Sequence, residues 1–297
     1  MKIRNFLAAG MTVLRPEIPN RHIYSMFSFG DSYTTTSFNS SAVQPSPDNP
    51  MGNPELGQGT ATDNVNWVGY MTTVYNKSVV LNYNLAVYGA TVNDSVVDNE
   101  PEDLVYQISN DFRSHYCLSS FASSPRWSPD ASLFTIWIGI NDIQFSYQNT
   151  DPFGKIPLVL QSYFRLVEQL YECGARRFLI INVPPTTRTP KMLLFENWHR
   201  KIHQRVVTSF NRQLEQGVYH WRKQHKSASM VLFDSWSFMT KILDNPREYG
   251  FLNSDCIGDR CIWWDGYHPS SAFHRLLAAD IRTQLDLEVG SISLASV

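Results

Sequence analysis

A serine acts as a nucleophile only where a base can take its proton and fixed donors can hold the oxyanion that its attack creates. This 297-residue sequence carries all three kinds of part, far apart along the chain. Ser32 follows an apolar run and the dipeptide Gly30-Asp31, the pattern of a strand ending in a tight turn. Asp265-Gly266-Tyr267-His268 supplies an imidazole base. The carboxylate three residues before it can accept the second imidazole N–H, set the tautomer and stabilise the imidazolium. The amides of Ser32 and Gly89 and the side-chain N–H of Asn141 are candidate oxyanion donors, whereas the carboxylate of Asp142 could only repel that charge. Together these residues would attack an ester carbonyl through Ser32, form an acyl-enzyme and resolve it with water activated by His268. That chemistry calls for no metal and no cofactor.

Such residues meet only if the fold collects them. Five short apolar runs read as buried strands: Ile23 to Phe29, Val79 to Ala86, Ser132 to Ile138, Phe178 to Val183 and Met230 to Phe233. Their continuous hydrophobicity predicts a parallel sheet covered on both faces. Helical periodicity lies between them. Ile156 to Glu172 repeats its apolar positions at helical spacing until Gly174, a second helix is predicted from about Met192 to Lys226, and Ser271 to Leu285 closes the series behind Pro269. Alternating strands and helices give an α/β three-layer sandwich with a five-stranded parallel sheet. Ser32, Gly89 and Asn141 then fall after the first three strands, at the carboxyl edge where open sheets bind ligands, with Asp265 and His268 in the loop before the last helix. Singly, each signal has an ordinary reading: a turn, a backbone accommodation, a helix cap, a Pro-terminated loop. Their joint order favours the site.

Bulk properties remove other classes. A formal charge of -2 and a pI near 6.4 leave no basic excess for a phosphate backbone. No apolar run approaches the roughly 20 residues that cross a bilayer. Residues 1–20 read as a leader or a degenerate signal segment, with Lys2 and Arg4 before an apolar stretch, and 21–297 as one domain. Asn39, Asn76 and Asn93 stand in glycosylation sequons, which decide nothing. Of the four cysteines, Cys256 and Cys261 fit a small loop disulfide bracing the segment before Asp265, while Cys117 and Cys173 stay unassigned. Residues 39 to 66, rich in Pro and Gly, form a long loop directly after the candidate nucleophile that could wall the site. His199 and His203 sit four apart on a helix, but Arg200 stands where a zinc protease carries its glutamate, so a solvated helix face is expected. Of Trp263 and Trp264, one is expected in the core and one at the site wall.

These residues resemble the blocks of the SGNH, or GDSL, hydrolase superfamily. The strings FGDSYT at 29–34, NWVGYM at 66–71, NLAVYGATV at 84–92, IWIGINDI at 136–143, NVPPTTRTP at 182–190, FDSWSFMTKILDNPREYGF at 233–251 and WWDGYHPS at 263–270 resemble the fungal acetylesterases of carbohydrate esterase family 16. The resemblance implies a flavodoxin-like fold and metal-free hydrolysis of small acyl esters, typically acetyl groups on hemicellulose sugars or oligosaccharides. It makes Ser32, Asp265 and His268 the triad, and Gly89 and Asn141, with the Ser32 amide, the oxyanion site. It also implies export, although the leader is atypical; a cytoplasmic location is the alternative. Tyr33 departs from the leucine of the superfamily name, and Tyr88 stands where many members have glycine, a bulk that could narrow the acyl pocket. A monomer is expected, acting on a small-molecule or oligosaccharide ester, with neither nucleic acid nor membrane as partner. The alternatives are a lipase or lysophospholipase-type esterase and a non-catalytic carbohydrate-binding protein.

Overall fold

The computed structural model describes residues 23–117 and 127–294; the expected leader over 1–20 lies outside them. Strands β1 (Ile23–Gly30), β2 (Val79–Asn84), β3 (Ser132–Trp137), β4 (Arg177–Ile181) and β5 (Ser229–Phe233) form one parallel sheet in the order β2-β1-β3-β4-β5. This is the doubly wound order of flavodoxin-like folds. Central β1 pairs with both neighbours and is covered on both faces: Met26, Phe27 and Phe29 are all buried, and so are the two serines of the strand, Ser25 and Ser28. Phe27 is in register with Tyr83 and Phe134 and stacks on both rings, at 4.8 and 5.0 Å between centroids. Burying such a side chain stabilises the fold by roughly 1.5–3 kcal/mol.

Helices cover both faces. In chain order they are α1 (Trp67–Thr73), α2 (Arg113–His115, continuing a π-helical turn over Tyr106–Phe112), α3 (Ile140–Gln144), α4 (Ile156–Glu172), α5 (Pro190–Leu193), α6 (Asn197–Gln224), α7 (Ser235–Asp244) and α8 (Ser271–Leu294). One layer joins α1 to α8, and the other places α4 against α6 and the π-helical turn. The amphipathic pattern predicted for α4 is met, with Ile156, Val159, Tyr163, Val167 and Leu170 inside.

Two predicted boundaries move. The single helix expected from Met192 to Lys226 is broken into α5 and α6. Thr189 accepts the Met192 N–H and caps α5, and Glu196, at ψ 152°, is extended and resets the chain before α6. The break lets α5 reach the loop holding Asp265 and His268, where the Lys191 N–H donates to the Gly266 carbonyl at 2.8 Å, while α6 turns to pack on α4. The last helix runs on to Leu294 instead of stopping at Leu285. Short α1 was not anticipated, because seven residues hold too little periodicity; its signal is the cap, Asn66, which accepts the Gly69 N–H.

Cys256 and Cys261 are bonded as expected, and Cys117 is bonded to Cys173 at the end of α4. No local signal marks that second pair, which spans 56 residues of sequence against 5 for the first. Loop closure makes the longer bridge worth up to about 4 kcal/mol and the shorter about 2. The double variant Cys117→Ala/Cys173→Ala is therefore expected to lose more unfolding free energy in urea than Cys256→Ala/Cys261→Ala. Equal losses would contradict the loop-length account.

Candidate active site

The turn after β1 is built to hold a serine at the sheet edge. Gly30 has φ +147°, and an added Cβ would lie 2.1 Å from the Trp137 carbonyl oxygen, so only glycine lets β1 end this close to β3. Gln107 clamps the same residue, accepting the Gly30 N–H and donating to its carbonyl, each at 2.9 Å. The Asp31 carbonyl then accepts the N–H groups of Thr34 and Thr35, closing the turn, and Ser32 is left 7% exposed. The Asp31 carboxyl accepts the Tyr33 N–H at 3.0 Å, and burial pushes its pKa up to about 8. Burial thus favours its neutral form and works against a negative charge beside the serine.

Ser32, His268 and Asp265 form one hydrogen-bonded chain across 236 residues of sequence. With the proton on Nδ1, His268 donates to Asp265 Oδ2 at 2.8 Å, and Ser32 Oγ donates to His268 Nε2 at 2.9 Å. The other oxygen of Asp265 accepts the Tyr267 and His268 amides, each at 2.7 Å. Burial opposes ionisation of this carboxyl. The hydrogen bonds from the His268 ring and from the two amides outweigh it and hold the pKa at about 2. The loop is fastened from three sides. Tyr33, next to the serine, donates its hydroxyl to the Tyr267 carbonyl at 2.5 Å; α5 holds Gly266; and Ser270 donates its N–H to the Ile262 carbonyl.

The other two predicted residues, Gly89 and Asn141, lie on segments that are bonded to one another. The Val87 N–H donates to the Gly30 carbonyl, so the segment after β2 stays anchored to the turn that carries Ser32. Gly89 has φ +83°, the left-handed conformation that points its neighbours around a sharp corner, and Asn99 donates to its carbonyl at 2.6 Å. Asn141, at the start of α3, gives one amide hydrogen to the Ala90 carbonyl at 2.9 Å; a carboxamide carries two, so the second remains for a ligand oxygen. Asp142 has a different part from the repulsive one expected of it. Both its oxygens accept the Val92 N–H, at 3.1 and 3.2 Å, and burial raises its pKa to about 7. Asn141 and Asp142 thus pin the 89–92 loop at two points.

Tyr88 is 59% exposed, and its ring lies 5.4 Å from the His268 ring. Trp263 is the core member of its pair and donates to the Ser254 carbonyl, while Trp264 is exposed, next to Asp265 in sequence. The long loop braces this region from the side: Asp63 accepts the Ser271 N–H and Val65 accepts its hydroxyl, fixing the start of α8. The solvated face expected at His199 and His203 is corrected. His203 is fully buried against the Tyr147 ring, and burial lowers its pKa to about 4; His199 stacks on Trp198. Gln107, Asn99 and Tyr33 were not legible as site residues, since each acts through a bond to a remote main chain and no local spacing announces it. A cleft of about 1120 Å³ lies at the opposite, amino edge of the sheet, among Leu133, Phe178 and Met230, and holds none of these groups.

The sequence profile of the GDSL-like lipase/acylhydrolase family matches residues 26–281. An acetylesterase of Thermothelomyces thermophilus is 31% identical over 257 residues, covering 85% of each chain. A GDSL esterase/lipase of Arabidopsis thaliana, At3g53100, is 27% identical over 172 residues, covering 49% of this chain and 48% of its own. Among solved structures, the acetylxylan esterase Axe2 of Geobacillus stearothermophilus superposes with a TM-score of 0.51 at 16% identity, covering 86% of this chain and 91% of its own. That likeness is one of fold.

Proposed function

Because the chain belongs to the GDSL-like lipase/acylhydrolase family and is a carboxylic ester hydrolase, we propose that it removes acetyl groups from sugars or oligosaccharides derived from hemicellulose, through a Ser32-His268-Asp265 triad. The observation that carries this reading is the continuous pair of bonds, 2.9 and 2.8 Å, from Ser32 through His268 to Asp265. His268 takes the hydroxyl proton as Ser32 attacks the acetyl carbonyl. The Ser32 and Gly89 amides and the free Asn141 hydrogen receive the oxyanion. His268 returns the proton to the departing sugar hydroxyl, then draws one from the water that attacks the acyl-enzyme. Asp265 remains ionised throughout, consistent with a pKa near 2.

The short acyl group is supported by the 31%-identical acetylesterase. The exposed rings of Tyr88 and Trp264 suit stacking on a sugar face. The two disulfides favour an exported protein.

Mass spectrometry of products from acetylated xylo- and manno-oligosaccharides tests the substrate. Loss of acetyl units is expected, and activity confined to long-chain acyl esters would replace this reading with a lipase. Asn141→Ala is expected to lower kcat by roughly 10²- to 10³-fold, the usual cost of one oxyanion donor. KM should change little, and an unaffected kcat would remove Asn141 from the oxyanion site.

A further inference from the structure

The carboxyl edge of the sheet carries a second concavity that the triad does not use. A cavity of about 370 Å³ lies over β4 and β5, among Thr187 and Arg188 of the loop after β4, Asn197, Arg200, Lys201 and Gln204 at the start of α6, and Trp236 of α7. No carboxylate lines it. Arg188 is paired with Asp244, but among the described residues neither Arg200 nor Lys201 has an acidic partner, and the buried Nε of Arg200 has no acceptor. With no carboxylate facing them across the cavity, the terminal N–H groups of Arg200 and Lys201 are left for a ligand oxygen. Around these cations stand groups of another kind. Thr187, Asn197 and Gln204 can bond hydroxyls, and Trp236 offers an indole.

We propose that this cavity is a subsite for a carboxylate-bearing sugar residue on the same oligosaccharide whose acetyl group reaches Ser32. Arg200 and Lys201 bind the carboxylate, Arg200 through its planar fork. The polar side chains and Trp236 bind the ring. Position fits this role: β4 stands two strands from β1 in the sheet, so the cavity lies roughly 10–15 Å from the nucleophile turn. That is the reach of a short oligosaccharide and beyond that of an acetyl group. The two sites also share a wall, since the segment holding Thr187 continues into α5, which grips Gly266 of the catalytic loop. The subsite rests on the acetyl-sugar reading and narrows it to acidic saccharides.

Two acetylated xylo-oligosaccharides of equal length, one neutral and one bearing a glucuronic acid, give the test. The wild-type enzyme is expected to favour the acidic one in kcat/KM by about tenfold, the worth of one charge-assisted contact. In Arg200→Gln and Lys201→Gln the ratio should fall toward one, and in the wild type it should shrink as salt is raised. Equal rates on both substrates, or a preference that survives both substitutions, would overturn the subsite. Calorimetry on Ser32→Ala with the deacetylated acidic oligosaccharide separates this from the catalytic reading. Binding there without hydrolysis of either ester by the wild type would sink the acetylesterase and keep the subsite, whereas hydrolysis of both without binding would do the reverse. Equal occupation by inorganic sulfate would mark an unspecific anion site and also count against the proposal.

Discussion

Ser32→Ala is expected to lower kcat on an acetyl ester by roughly 10⁴- to 10⁶-fold while leaving the fold intact, as seen in other enzymes when a triad nucleophile is removed. The substitution deletes one oxygen, and that oxygen's bond in the structure is to His268 Nε2. The backbone of the turn depends on other groups: Gln107 on Gly30, and the Asp31 carbonyl on Thr34 and Thr35. Thermal unfolding should therefore move by no more than a few degrees. The residual rate reports the oxyanion donors, which act on any attacking water. A fluorophosphonate probe should label Ser32 in the wild type and nothing in the variant. Retained turnover in Ser32→Ala, or labelling at another serine, would assign the nucleophile elsewhere. Activity alone leaves ambiguity between a lost nucleophile and a collapsed site; the probe and the melting curve together resolve it.

How much of this was legible in the sequence follows from which bonds are local. Asp265 and His268 share one turn, so their spacing already implied the 2.8 Å contact. Ser32, Gly89 and Asn141 each follow a strand, and parallel topology brings strand ends to one edge whatever lies between. The strands were readable because both faces of the sheet are buried, and their ends shifted by only one or two residues. The split between α5 and α6 was not readable, since Leu193, Leu194 and Phe195 continue an apolar pattern and the extended backbone at Glu196 has no local sequence signal. Gln107 and Asn99 were equally silent. Each is a carboxamide whose local sequence says nothing of the carbonyl it reaches, 77 residues away for Gln107 and 10 for Asn99. The carboxyls of Asp31 and Asp142 were visible as residues but not as protonation states. Only burial shows that both bind a proton more tightly in the folded chain. For each, stability present below the unfolded carboxyl pKa declines as pH rises toward 8 or 7, opposite in sign to Asp265.

Asp265→Asn tests the base rather than the nucleophile, and its expected cost is roughly 10²- to 10⁴-fold in kcat. The carboxamide oxygen can still accept the Tyr267 and His268 amides, so the loop should keep its shape. The amide nitrogen then faces His268 Nδ1, where two donors would collide. Imidazole responds by carrying its proton on Nε2, which points that proton at Ser32 Oγ and leaves no lone pair to accept the hydroxyl hydrogen. The defect lies in the transition state, so KM should stay within a few-fold of the wild type while kcat falls. Stability gives a second, smaller signal. In the wild type the ionised carboxylate, with a pKa near 2, favours folding above the unfolded value of about 3.9, and that contribution disappears as pH falls toward 2. The side chain is half exposed, so solvent screens much of the effect. Melting curves between pH 5 and 2 should descend more steeply for the wild type than for Asp265→Asn. Full turnover in that variant would mean that His268 finds its tautomer without Asp265, and the triad would reduce to a dyad.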